Sequence, residues 1–242
     1  MYRQRLHENT RRMSHLHFPD GVLPQKLVIA SFAACVVLLG VASRRLSSKR
    51  GAVQLVAAMA ALMLVAMSMP LLLLPVHLNL ACLVGIIAGG WNALVASFSV
   101  SVICAMMQHG GISVIGLNTL ILTLEAAIAS YVFRKTRARG AVLSAGLSAA
   151  LALGASQTAM IAVLALAGPA NSRFELLAHR LLMGDGHIHA FLQLGSRRDI
   201  GVAGVLSAAV PLLLAALVLE AVATALIAGF VSRVRPTLLQ RD

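Results

Sequence analysis

The chain has 242 residues, of which 59% are hydrophobic and 12% charged, with a mean hydropathy of +0.88; that leaves too little polar surface for a soluble domain and places it in a bilayer. The formal charge of +12 comes with only 4% aromatics, and the bases cluster between apolar runs instead of following a helix face. No nucleic-acid partner is expected; such clusters mark the cytoplasmic loops of a multi-pass membrane protein.

Residues 1–26 are polar and carry no evident signal peptide, since the first apolar run is long enough to span. That run, Leu27 to Ser43, is closed by Arg44, Arg45, Lys49 and Arg50. A second extends from Gly51 to about Leu74, and Pro70 and Pro75 predict a break before His77. The third stretch, 78–107, is apolar apart from Gly89-Gly90-Trp91-Asn92. Further runs cover Ile112 to Phe133, Ala141 to Gly168 and Gly201 to Ser232.

Whether 78–107 crosses once or twice decides the topology. With two short helices turning at Gly89-Gly90, the cluster Arg134, Lys135, Arg137, Arg139 and the tail Arg233, Arg235 share a side with Arg44 to Arg50, as the positive-inside bias prefers. The expectation is therefore an all-α integral membrane protein of about seven transmembrane helices, N-terminus outside and C-terminus cytoplasmic. Two helices of about 14 residues rise only ~20 Å each, so neighbours must shelter them. Residues 1–13 read as a basic N-terminal extension, 14–26 as a metal-binding segment, and 27–242 as one transmembrane domain with an outer loop at 169–200.

The metal reading starts from His15-Leu16-His17-Phe18-Pro19-Asp20-Gly21, an imidazole and carboxylate cluster just ahead of the first span. His77 and His109 end other apolar runs, so separate segments can bring imidazoles together. On this topology His179, His187 and His189 also fall outside. His179 reads as an ordinary loop residue, and His187 and His189 as loop residues or a weak metal pair. Asp20 in Pro-Asp-Gly reads as fixing a turn through backbone hydrogen bonds, with Asn79 and Asn118 as supporting donors to backbone or imidazole. Cys35, Cys82 and Cys104 lie in apolar segments without CxxC spacing and read as small core residues. Glu125 and Glu220, the acids inside apolar spans, are functional candidates because a charge there is costly; Gln54 and Gln157 are candidate partners for Glu125. The small-residue runs Ala57 to Ala61 and Ser144 to Ala150 allow close helix packing.

His17-Phe18-Pro19-Asp20-Gly21-Val22-Leu23-Pro24 resembles the His-Ile-Pro-Asp-Gly start of the cobalt/nickel-specific membrane subunits of energy-coupling-factor transporters, the CbiM/NikM type. His77-Leu78-Asn79-Leu80 with Leu83-Val84-Gly85 resembles that family's second histidine block, and Gly89-Gly90-Trp91 its Gly-Pro-Trp turn. His109-Gly110-Gly111 with Gly116-Leu117-Asn118 resembles a later block, and Glu220-Ala221-Val222-Ala223-Thr224 a late helix. The likeness runs in family order over roughly 15 to 235 and is strongest in the first 130 residues.

The resemblance implies seven helices and an N-terminal segment folded into an outward-facing cavity. A metal is held there by the terminal amine, a backbone amide nitrogen, the histidine at position two and the histidine of the second block. His17 and His77 are then the ligand candidates, and His109, where the family usually has an acid, is a third ligand or supports one. Sixteen residues precede His17, so an amine ligand requires a later start; Met13-Ser14-His15 offers one, which makes His15 a further ligand candidate. Nickel and cobalt both accept such nitrogen donors. The implied role is the substrate-capture component of an importer of Ni2+ or Co2+ in a bacterial inner membrane. Its implied partners are a transmembrane coupling subunit, a pair of ATP-binding-cassette ATPases and often a small auxiliary membrane subunit. No phosphate loop, GxSxG or HExxH is present in the sequence, so the chain is read as a transporter subunit without its own ATPase site. The alternatives are a metal-dependent intramembrane hydrolase using His17, His77 and Glu125, and a membrane metal sensor.

Overall fold

The computed structural model describes residues 18, 20–21, 23–46, 51–69, 77–107, 109–166 and 202–240. Among these the secondary structure is helical: α1 (Gln25–Leu46), α2 (Ala52–Ser68), α3 (Ala81–Ala88), α4 (Gly90–Met106), α5 (Ile115–Thr136), α6 (Ala141–Leu166) and α7 (Val202–Val234), with short 3-10 turns at Arg137–Arg139 and Pro236–Leu238. A bilayer offers backbone groups no water, so apolar segments of this length close their hydrogen bonds internally as helices.

Among the described residues, four segments are long and apolar enough to cross a membrane: Gln25–Leu46, Ile115–Arg139, Ala141–Val163 and Leu213–Val234. Helices α2 and α4 are apolar but shorter. The seven expected helical segments are all present among the described residues, yet the third departs from expectation. A helix of about 14 residues from Leu78 was anticipated; the helix starts at Ala81 and has 8 residues, a rise of only ~12 Å. His77 to Leu80 precede it without helical structure. The break falls at Gly89, whose φ is 81°.

The bundle is built around α5, which packs against α1, α3, α4 and α6, while α7 lies against α6. One core joins Val56, Met63 and Met67 of α2 to Val84, Val100, Leu122 and Ala126. A second joins Cys82 and Ile86 to Ala129, Phe133, Ala149 and Ala228. Between these cores α3 is enclosed, with every residue from Ala81 to Ile87 buried. Gly85 makes that possible: a Cβ there would fall 2.0 Å from the Ala126 carbonyl oxygen, so the backbones of α3 and α5 touch directly. By contrast α1 leaves Ile29, Phe32, Val36 and Val37 exposed, a lipid-facing surface.

The basic clusters gather at one end. The Arg45 guanidinium stacks over the Trp91 ring, 4.7 Å from its centroid, and Arg134 reaches Gly89, where a Cβ would lie 3.4 Å from its Nη2. The end of α1, the α3–α4 break and the end of α5 therefore meet. Gly229 near the end of α7 abuts Val142 at the start of α6, which brings Arg233 and Arg235 to the end that carries Arg134 to Arg139.

Candidate metal centre

The expected ligands His15 and His17 lie outside the described residues, as do His179, His187, His189 and the loop 169–200. The residue after His17 is firmly placed. Phe18 is 3% exposed and packs with Leu23, Val114, Leu117, Ile121 and Met160. Its N–H donates to Asn118 Oδ1 at 2.9 Å, and its carbonyl accepts from Asn118 Nδ2 at 3.3 Å and from the Gly111 N–H at 2.9 Å. One amide side chain thus satisfies both backbone polar groups of a buried residue, as a neighbouring strand would.

Asp20 continues the attachment. Its carboxylate accepts from the N–H of Ile112 at 3.0 Å and of Ser113 at 2.7 Å, and from the Ser113 hydroxyl. It does bind backbone, as anticipated for Pro-Asp-Gly, but the backbone belongs to the approach to α5 and not to its own turn. Burial works to raise the Asp20 pKa, but the Ser113 hydroxyl and the two N–H groups outweigh it and hold the carboxyl below 3.8. Gly111 permits the contact: a Cβ there would sit 2.4 Å from Asp20 N. His109 is half-buried two residues earlier, its N–H bonded to the Cys104 carbonyl at 2.8 Å, so its main chain borders the docked segment.

His77 is half-buried, with an enclosed Nδ1. The stretch that carries it is held by two acids from distant helices. Glu220 on α7, 3% exposed, accepts from the N–H of Asn79 at 3.0 Å and of Leu80 at 2.7 Å. Glu125 on α5 is fully buried and accepts from Asn79 Nδ2 at 3.4 Å, Ser156 Oγ at 3.0 Å and Cys82 Sγ at 3.5 Å. Asn79 Oδ1 in turn caps α3 by accepting from the Ala81 N–H at 2.7 Å. Leu80 adopts φ 55°, a left-handed conformation that costs a non-glycine residue about 1–2 kcal/mol. Two hydrogen bonds from the loop N–H groups to Glu220 help offset that.

The sequence picked out Glu125 and Glu220 by their cost, but not what they hold. Gln54 is exposed, and Gln157 turns to the Leu213 carbonyl at 3.4 Å; the partners of Glu125 are Asn79, Ser156 and Cys82. Only the Asn-Leu pair after His77 hinted at this. Asn79 and Asn118 were expected to support backbone or imidazole, and among the described residues they bind backbone and carboxylate. Cys35, Cys82 and Cys104 are buried free thiols. No group of three or more His, Cys, Asp or Glu poised for a metal occurs among the described residues.

Asn118 and Glu125 stand seven positions apart on α5, two turns along one face and about 10 Å in rise. The first holds the segment that follows His17, and the second holds the block of His77. Irregular backbone fastened inside a helical bundle by buried acids, below a docked N-terminal segment, defines an integral membrane protein with an internal polar site. The chain belongs to the CbiM family, the cobalt uptake substrate-specific transmembrane region, which it matches over residues 17–238. It is 32% identical over 123 residues to a Haemophilus influenzae protein named for metal transport, over 49% of this chain and 58% of that relative. The chain thus spans little more than half the length of that curated relative. Its fold is similar to two crystal structures, a truncated transition metal transporter at TM-score 0.59 and 22% identity, covering 93% of this chain and all of that one, and a transition metal transporter at TM-score 0.60 and 21% identity, covering 93% and 95%.

Proposed function

We propose that this chain is the substrate-capture component of an energy-coupling-factor importer that takes nickel or cobalt ions across a bacterial inner membrane. His17 and His77 are its principal ligands, with His15 and His109 as further donors, the segment 14–26 supplying the outer half of the site and the domain 27–242 the rest. The observation that carries the reading is the attachment of both histidine-bearing segments to one face of α5, through Asn118 and Glu125. Imidazole and amide nitrogen suit Ni(II) and cobalt alike. Having no nucleotide loop of its own, the chain would draw its energy from a transmembrane coupling subunit and a pair of ATP-binding-cassette ATPases, with a small auxiliary membrane subunit as a further candidate partner. The hydrolase alternative requires Glu125 to activate water, whereas Glu125 is fully buried and bound to Asn79, Ser156 and Cys82.

The test is metal analysis of the protein purified from cells given equal trace cobalt, nickel and zinc. Wild-type protein is expected to carry nickel or cobalt, and His77→Ala none at unchanged protein yield. An unchanged metal content in His77→Ala would sink the site assignment.

A further inference from the structure

Glu220 lies 140 positions beyond the loop it binds, in the lipid-crossing part of α7, and no metal ligand is assigned to that helix. An aliphatic side chain would pack there as well, but it would leave two buried N–H groups of the His77 loop without an acceptor, which is expensive in a membrane. The carboxylate takes both, at 3.0 and 2.7 Å, on the two residues that immediately precede α3. Glu125 clamps the same loop from the other side through the Asn79 amide, and Ser156 ties that clamp to α6. The loop is therefore tied to α5, α6 and α7 through its main chain and the Asn79 side chain. His77 itself leaves the backbone two residues upstream of the first clamped N–H.

Resting on the metal-site reading above, we propose that Glu220 is a positioning residue of the metal site. By fixing the main chain of Asn79 and Leu80 it sets where the His77 imidazole stands, and with Glu125 it makes the ligand loop follow α7 and α5. A shift of α7 relative to α5 then moves one metal ligand relative to the N-terminal segment, which Asn118 of α5 holds. The device places the geometry of capture under the control of helices that carry no ligand.

Full-length protein in detergent, titrated with Ni2+ alone, tests this. Glu220→Gln keeps the shape but presents an amide whose N–H2 cannot accept the second hydrogen bond. It is expected to bind Ni2+ about 10- to 100-fold more weakly, with a shifted d–d absorption band and a modestly lower melting temperature of the metal-free protein from the N–H left without an acceptor. Glu125→Gln is expected to change the band in the same sense with a smaller loss. Wild-type affinity and band in Glu220→Gln, while His77→Ala fails to bind, overturn the proposal and leave the metal site standing. A lower melting temperature with an unshifted band on the bound fraction marks a purely structural role and overturns it too. Wild-type binding by His77→Ala removes the site and the proposal together. Should Glu220→Gln not accumulate, Glu125→Gln is read by the same criteria.

Discussion

Asn118 shows how much one side chain can organise here. Its amide answers both polar groups of Phe18, and losing it leaves buried groups unsatisfied at about 1–3 kcal/mol each. Asn118→Ala is expected to weaken metal binding by at least tenfold, by titration calorimetry, while circular dichroism shows full helix content. Asn118→Asp keeps an acceptor for the Phe18 N–H but loses the donor, and its binding should fall between the two. Asp20 sets a pH dependence on the same attachment. Its carboxyl is held below 3.8, so its contribution is present above that ordinary value and is lost as pH falls through the lower folded one. Hydrogen exchange at Ile112 and Ser113 should therefore stay protected at pH 5 and rise only at more acid pH, and in Asp20→Asn it should already be faster at pH 7. Asp20, Asn79 and Asn118 were legible as hydrogen-bonding residues because each sits in a short polar block amid apolar sequence, whereas His17 lies outside the described residues. The tie from Glu220 to Leu80 was not legible, because a sequence shows that an acid is buried but not which distant N–H it meets.

At the scale of elements the instructive piece is α3. The stretch 78–88 is almost uniformly apolar, so periodicity marks no starting point, and its first residues were expected to be helical. The start is instead imposed from outside: Glu220 takes the N–H groups of Asn79 and Leu80, and Asn79 caps Ala81. The break at Gly89 was legible, since paired glycines interrupt an apolar run in few other ways. Gly85 passed unremarked as a packing residue, because only the fold reveals how near Ala126 lies. Gly85→Ala would push a methyl into the Ala126 carbonyl and force two backbones apart, an overpacking cost of about 1–3 kcal/mol. Its thermal melting temperature in detergent should drop, whereas Gly154→Ala, where a Cβ meets nothing within 4 Å, should melt like wild type.

Across the whole molecule the basic residues define an end. Arg45, Trp91 and Arg134 meet there, and the docked segment at Asp20 and Ile112 lies beyond the opposite ends of α4 and α5. With the basic end cytoplasmic, a cysteine at Ala138 should react with a membrane-impermeant maleimide only in inverted vesicles, and one at Ile112, which is 68% exposed, only in intact spheroplasts. Native Cys35, Cys82 and Cys104 are buried and should stay silent. Reaction of both new cysteines from one face would refute a crossing by α5, and reaction of the Ala138 position only in spheroplasts would refute a cytoplasmic basic end.

The same arrangement bears on how the chain enters the bilayer during synthesis. The connections at 69–80 and 107–114 contain no Lys, Arg, Asp or Glu, so the hairpins they join can be pushed through without dragging a charge across, which at mid-bilayer costs about 2.5–3.5 kcal/mol for each Arg or Lys. With the basic end cytoplasmic, the bases between α1 and α2 and between α5 and α6 would not have to leave the side of synthesis. The connection 167–201 differs, since it carries Arg173, Arg180, Arg197 and Arg198. Of the described helices α7 is the last to be made, and it is the one that delivers Glu220 to the His77 loop.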